Sequence, residues 1–244
     1  YQPIPGEANM EPNAARIPAY KFRGELYTDT TELVRALASD WESGKKQLYR
    51  GLLTGFFMAC DPEIAEACMD AEDSVTKRGE NEDVAFWKLL YKMAPDMNTF
   101  FWKDQKYDSL NAFGTDLMEK LRSGDVDECP VWNELLSYGL ISLYMKAHKF
   151  SDIQVSGAES IESSARLNKA NAKTMALNYY LLAYLISGDR EFVLASERFN
   201  SIDALAEHMN TLLTESFEKF DVFCKNIINA DNSLDPQFEA WLVA

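Results

Sequence analysis

The densest group of side chains able to do chemistry is a run of carboxylates between residues 63 and 73. It consists of Glu63, Glu66, Asp70, Glu72 and Asp73. On a helix, Glu66, Asp70 and Asp73 would share one face and could in principle hold a cation. No Glu-x-x-His segment accompanies them, and paired carboxylates work as acid and base only where their environments differ. We therefore interpret the run as a solvated helix face that supplies the candidate partner-binding residues.

The histidines and cysteines match no catalytic or metal-binding pattern. His148 and His208 belong to no His-Glu-x-x-His segment and to no zinc spacing. The four cysteines include no Cys-x-x-Cys pair, which favours reduced thiols in a cytoplasm. Signatures of a nucleophile elbow, a P-loop and a dinucleotide-binding loop are also missing from the sequence. We predict no catalytic residue, no cofactor and no metal site, and hence a chain that is not an enzyme.

The net charge restricts the class of partner. The sequence has 24 Lys and Arg residues against 39 Asp and Glu residues, a formal charge of -15. Binding a phosphate backbone requires clustered cations that displace counterions. The best basic candidates here are pairs such as Lys45-Lys46 and Lys77-Arg78, so we expect no direct contact with nucleic acid. Acidity of this size either keeps the surface soluble or attracts a basic protein.

The sequence predicts neither a membrane span nor a signal peptide. No uninterrupted apolar stretch approaches the ~20 residues that cross a bilayer. The N-terminal segment, residues 1–6, lacks an initiator Met and the basic-then-apolar order of a signal peptide. We expect no membrane partner, and we expect the chain to be a segment of a larger cytoplasmic, bacterial protein.

Three similar segments recur along the chain and dominate its organisation. In each, two short apolar stretches flank a residue suited to a tight turn, namely Gly24, Asp104 or Ser196. Tyr27, Tyr107 and Phe199 occupy the same place in the three segments. Each segment therefore predicts a two-stranded hairpin, which is marginal alone and must pack on helices.

Every predicted hairpin leads into a predicted helix. Thr30 or Thr31, Ser109 and Ser201 are the expected N-cap residues. The apolar residues that follow recur at intervals of three and four, which indicates a buried helical stripe. The stripes consist of Leu33, Leu37 and Trp41; Leu110, Phe113, Leu117 and Leu121; and Ile202, Leu205, Met209, Leu212 and Leu213.

The pattern predicts further helices after the first two stripes. One runs from Lys45 to Met58 and a related one from Pro130 to Met145, with Gly51 and Gly139 at matching places. A glycine inside a helix costs about 1 kcal/mol relative to alanine, so we interpret the matched pair as a site of close helix contact. Other helices are expected from Pro62 to about Thr76, from Glu82 to Met93, from Ala158 to Leu167 and from Ala170 to Ile186.

These elements predict a mainly α fold with helical repeats, either α-solenoid-like or an irregular helical bundle. A small β-hairpin opens each of about three divergent repeats. We assign residues 1–19 to an extended Pro-rich linker, 20–99 to the first repeat, 100–191 to the second and 192–244 to an incomplete third. Arrays of this kind present extended surfaces.

The favoured function is a non-enzymatic module for protein–protein interaction or regulation. Two alternatives stay open. One is an acidic sequestering protein, an inhibitor that covers the basic surface of a nucleic-acid-binding regulator. The other is an enzyme with an unrecognised site, or one whose catalytic domain lies outside this sequence. A continuous acidic face would favour the first alternative, and a deep pocket with convergent polar groups would favour the second.

Overall fold

A computed structural model describes residues 18–125, 127–229 and 231–244. Over these ranges the chain is mainly helical, with thirteen helices and three separate two-stranded antiparallel hairpins. The chain divides into two compact units, with the boundary between Met97 and Asn98. The predicted linker at residues 1–19 lies outside the described residues except for Pro18 and Ala19.

The described part of the first unit contains one hairpin followed by five helices. These are β1 (Tyr20–Phe22), β2 (Glu25–Tyr27), α1 (Thr30–Ser39), α2 (Trp41–Tyr49), α3 (Leu52–Phe57), α4 (Pro62–Thr76) and α5 (Glu82–Met93). The helices predicted from Pro62 and from Glu82 are confirmed at both ends. Each has a polar N-cap in the right place, since Asp61 and Asn81 accept hydrogen bonds from the first-turn N–H groups.

The second unit begins with the same order of elements and continues into a third hairpin. Its elements are β3 (Phe100–Trp102), β4 (Gln105–Tyr107), α6 (Leu110–Ser123), α7 (Cys129–Tyr138), α8 (Leu140–Ala147), α9 (Asp152–Leu167), α10 (Ala172–Ser187), β5 (Phe192–Leu194), β6 (Glu197–Phe199), α11 (Ile202–Glu215), α12 (Phe217–Ile227) and α13 (Pro236–Val243).

The three predicted hairpins are confirmed, and they share one register. Tyr20 pairs with Tyr27, Phe100 with Tyr107, and Phe192 with Phe199. Two residues form each turn, and the left-handed φ that such a turn requires is present at Arg23, Gly24, Lys103, Ala195 and Ser196. A two-residue turn with positive φ matches the right-handed twist of the strands that it joins.

The predicted N-caps are right for two of the three helices that follow the hairpins. Ser109 accepts a hydrogen bond from the N–H of Ala112, and Ser201 accepts one from the N–H of Ala204. The first helix begins at Thr30, one residue earlier than a Thr30 cap would allow and two earlier than a Thr31 cap would allow. Its N-cap is Asp29, because a carboxylate is at least as good an acceptor as a hydroxyl for the orphan N–H groups.

The predicted single helices around Gly51 and Gly139 are each two helices. Both glycines have left-handed backbone angles, with φ of 69° and 70°, and they separate α2 from α3 and α7 from α8. The prediction of close helix contact at Gly51 is wrong, because a Cβ placed there would meet no atom within 4 Å. These positions use glycine for its conformational freedom.

The helix that precedes the second hairpin, α5, packs on α1, the helix that follows the first hairpin. Likewise α10, which precedes the third hairpin, packs on α6, which follows the second. In the first unit α5 packs on α1 and α2, where the Phe86 ring meets the Trp41 ring edge-on at 5.0 Å. In the second unit α10 packs on α6 so closely that a Cβ on Gly114 would lie 2.4 Å from the Ile186 side chain. Helix–helix burial of this kind forms the core of each unit.

The third hairpin has a smaller core. Phe192, Leu194 and Phe199 pack with Leu205 of α11, Phe223 of α12 and Phe238 of α13. Only one residue is fully buried on each of α11 and α12. The opposite sides of these two helices therefore face outward, although the apolar stripe of α11 predicts a buried helix.

Candidate interaction surfaces

The structure places all five predicted partner-binding carboxylates on α4, but in different surroundings. Glu63, Glu66 and Asp70 are exposed, whereas Glu72 and Asp73 are half-buried. Asp70 lies 3.8 Å from the ammonium group of Lys92, and Asp73 lies 2.7 Å from that of Lys77. The run is therefore partly neutralised by lysines of the same unit.

Glu72 has an internal role. Its carboxylate accepts a hydrogen bond of 2.6 Å from the hydroxyl of Thr54, which is buried in the first turn of α3. Gly51 is the N-cap of α3 and offers no side chain to that turn. A carboxylate from the next helix therefore binds a side chain in the first turn of α3 and ties α4 to α3.

A related contact in the second unit also involves the backbone. Gly139 is the N-cap of α8, and Ser142 in its first turn donates to Glu162 of α9 through both the backbone N–H and the hydroxyl. Glu162 is 1% exposed. Burial raises the pKa of its carboxyl above the usual range, although the bonds from Ser142 and the charge of Arg166 act in the opposite direction.

A groove of about 490 Å³ lies between α4 and α5. Its floor is built from small side chains and its rim from charged ones: Ala67, Asp70, Ala71, Ser74, Arg78, Glu80, Ala85, Lys88, Leu89 and Lys92. Lys88 donates to Glu80 at 2.5 Å. Partial burial alone would raise the pKa of Glu80, but its bonds with Lys88 and Ser74 outweigh burial and lower it. The groove therefore contains an ion pair between Lys88 and Glu80, and the pKa of Glu80 is shifted away from neutral pH.

The outward side of α11 is the second candidate surface. Comparison with α6 shows that this side of α11 lacks a covering helix. Both helices have 14 residues and a serine N-cap, so they compare position by position. Leu110 and Leu121 of α6 are 2% and 9% exposed, whereas the matching Ile202 and Leu213 of α11 are 46% and 48% exposed. In α6 this side is covered by α10. The same side of α11 keeps apolar residues at these two places without such a cover, while Asn210 takes the place of the buried Met118.

The middle of this side is a shallow depression. Its lining comprises Asp203, Ala206, Glu207, Asn210, Thr211 and Thr214. We call these residues, together with Ile202 and Leu213, the open face of α11. Helix α11 contains three carboxylates and neither Lys nor Arg. The open face is thus apolar at both ends and acidic in between, which suits an amphipathic partner better than a small polar molecule.

Neither a metal cluster nor a bilayer-spanning helix is found in the described part of the chain. Across residues 18–125, 127–229 and 231–244, no three His, Cys, Asp or Glu side chains are grouped to hold a metal ion. No helix in these ranges is long and apolar enough to cross a membrane. Comparison of the chain with protein-family models, with curated proteins and with solved structures finds no match in any of the three.

Proposed function

We propose that the chain is a non-enzymatic protein-interaction module built from hairpin-led helical repeats, and that the open face of α11 binds a helix of a partner protein. The observation that carries the proposal is the contrast between matched positions of α6 and α11. Leu110 and Leu121 are buried on the side of α6 that packs on α10, whereas Ile202 and Leu213 at the matching places of α11 are about half exposed. Exposed apolar groups rimmed by polar ones are typical of protein interaction sites.

The α6–α10 pair supplies the binding mode. Asn111 near the start of α6 donates through its side-chain amide to the carbonyl oxygens of Ile186 and Ser187 at the end of α10, at 3.1 and 2.9 Å. Tyr180, earlier on α10, donates to the carbonyl oxygen of Leu121, late on α6. The two helices therefore run antiparallel with their apolar stripes in contact. A partner helix on α11 would bury Ile202 and Leu213 in the same way.

The acidic run on α4 is the competing surface. Glu63, Glu66 and Asp70 are its exposed members, and the first two are available to a basic protein. Glu72 holds Thr54, and Asp70 and Asp73 face lysines. The open face of α11 is favoured because it combines apolar area with charge, and burial of apolar area provides most of the affinity in helix recognition.

A comparison of variants in the native cell tests the proposal. Tagged wild-type chain, Leu213→Asp and the matched control Ile153→Asp are purified, and the proteins that accompany each are quantified. Ile153 belongs to the same unit and is 84% exposed on α9, so its replacement controls for an added surface charge. A partner retained by Ile153→Asp and lost from Leu213→Asp is expected. Equal recovery of every companion protein by all three chains would refute the proposal.

A further inference from the structure

We infer that the partner helix presents Lys or Arg side chains to Asp203 and Glu207 of the open face; this inference rests on the proposed function. The grounds are the substitutions that distinguish α11 from α6 at the positions that contact α10. At those positions the fold already shows one occupant, α10, together with the polar contacts that hold it. Because α11 carries carboxylates on this side, its occupant must present other polar groups than α10 does.

The first difference concerns the donor at the start of the helix. In α6 the amide of Asn111 donates to two carbonyl oxygens at the C-terminus of α10. The matching residue of α11 is Asp203, and an ionised carboxylate only accepts hydrogen bonds. Carbonyl oxygens at a helix C-terminus also carry partial negative charge. A helix that ended like α10 would be repelled at Asp203, so the occupant must bring a donor, and a cationic donor binds most strongly.

The second difference is the sign of charge along the face. Arg122 of α6 binds the Asp189 carboxylate at 2.7 Å and the carbonyl oxygen of Glu191 at 2.6 Å, just after α10 ends. Thr214 takes the place of Arg122 in α11, and Glu207 takes the place of Thr115. The face that holds α10 therefore carries a cation that contacts its occupant, whereas the open face carries carboxylates.

The lysines closest in sequence do not neutralise these carboxylates. On α12, Lys219 binds Glu215 at 2.8 Å and Lys225 binds Asp221 at 2.7 Å. Among the residues that the structure describes, no Lys or Arg forms an ion pair with Asp203 or Glu207. Their charge is left for an external cation. The occupant that fits is an amphipathic helix with apolar anchors for Ile202 and Leu213 and basic residues between them.

Two synthetic peptides test the inference with the 244-residue chain. Both have the length of α10 and the same leucine and alanine face; one carries lysines beside that face and the other carries glutamates. Binding is measured by calorimetry for the wild-type chain, Asp203→Asn/Glu207→Gln, the matched control Glu63→Gln/Glu66→Gln, and Leu213→Asp. We expect the lysine peptide to bind about tenfold more weakly to the α11 double variant and no more than about twofold more weakly to the α4 control.

The outcomes separate this inference from the proposed function. If the glutamate peptide binds as tightly as the lysine peptide and Leu213→Asp abolishes both, the cationic partner is wrong while the docking face stands. If the α4 double variant weakens the lysine peptide as much as the α11 variant does, binding is general charge attraction and the inference fails. If the chain alone sediments as a dimer that Leu213→Asp dissociates, a second copy is the occupant and the inference fails. Absence of binding by either peptide overturns it as well.

Discussion

The carboxylate of Glu162 accepts two hydrogen bonds from Ser142, one from the backbone N–H at 2.9 Å and one from the hydroxyl at 2.7 Å. Ser142 lies in the first turn of α8, where the N-cap is a glycine. Glu162 thus replaces, from another helix, the oxygen that a serine or aspartate N-cap would supply. In the first unit, Glu72 of α4 accepts a hydrogen bond from the Thr54 hydroxyl of α3, so in each unit a glutamate of the fourth helix binds a residue in the first turn of the third.

Replacement of Glu162 by glutamine is expected to change how stability depends on pH. The native pKa of Glu162 is raised, chiefly by burial, so between the unfolded and native pKa values the folded chain binds more protons than the unfolded chain. The free energy of unfolding contributed by this group therefore falls as pH rises through that window. Glu162→Gln removes this pH-dependent decrease in the free energy of unfolding, because glutamine does not titrate. Urea unfolding at pH 4 and pH 7 should show the variant gaining stability relative to wild type at the higher pH. A difference that stays constant with pH, or moves the other way, contradicts the assignment.

Two glycines of the first unit should respond in opposite ways to alanine. Gly51 has φ of 69° and Gly55 is helical, and a Cβ at either would meet no atom within 4 Å. Gly51→Ala is expected to destabilise the chain by about 1–2 kcal/mol, the cost of an L-residue in the left-handed region. Gly55→Ala should stabilise it by about 0.5–1 kcal/mol. Chemical denaturation measures both changes, and a neutral Gly51→Ala would mean that the break between α2 and α3 does not need glycine.

The close approach of α6 and α10 predicts a penalty at Gly114. A Cβ there would lie 2.4 Å from the Ile186 side chain and 2.7 Å from the backbone nitrogen of Ser187. Gly114→Ala should therefore cost about 1–3 kcal/mol, despite the better helix propensity of alanine. The matching residue of α11, Ala206, is exposed, and Ala206→Leu should change stability by no more than about 0.5 kcal/mol. Similar effects at the two positions would show that both faces are equally covered.

Matched leucines extend this comparison to apolar burial. Leu121→Ala on α6 removes a side chain that is 9% exposed and should cost about 2–5 kcal/mol. Leu213→Ala at the matching place on α11 removes one that is 48% exposed and should cost less than about 1 kcal/mol. Thermal unfolding monitored by circular dichroism ranks the stability losses of the two variants. A loss at Leu213 as large as that at Leu121 would place a covering element over α11.

The hairpins were predictable from the sequence because short-range rules determine them. A two-residue turn fixes the register once its residues are known, so Gly24, Asp104 and Ser196 located all three. The helix breaks at Gly51 and Gly139 were missed because the apolar period continues across them. As a consequence Leu52 is 49% exposed, while its neighbour Leu53 is buried.

The candidate surfaces were less predictable because tertiary neighbours decide them. The stripe of α11 has the same period as that of α6, but Leu205, Met209 and Leu212 pack on the core whereas Ile202 and Leu213 lack a cover such as α10. Glu72 likewise looks like any other carboxylate of its run, and only its contact with Thr54 reveals an internal role. The recurrence of a glycine followed three residues later by Thr or Ser was the one available signal, and it needs the partner glutamate to be interpreted.

Hydrogen exchange of the chain with and without the lysine peptide tests the docking face most directly. Amide exchange reports the opening of helices, and a bound partner slows it where the partner lies. We expect added protection across α11, residues 202–215, with none across α4, residues 62–76. Protection confined to α4, or no change in α11 at saturating peptide, would contradict it.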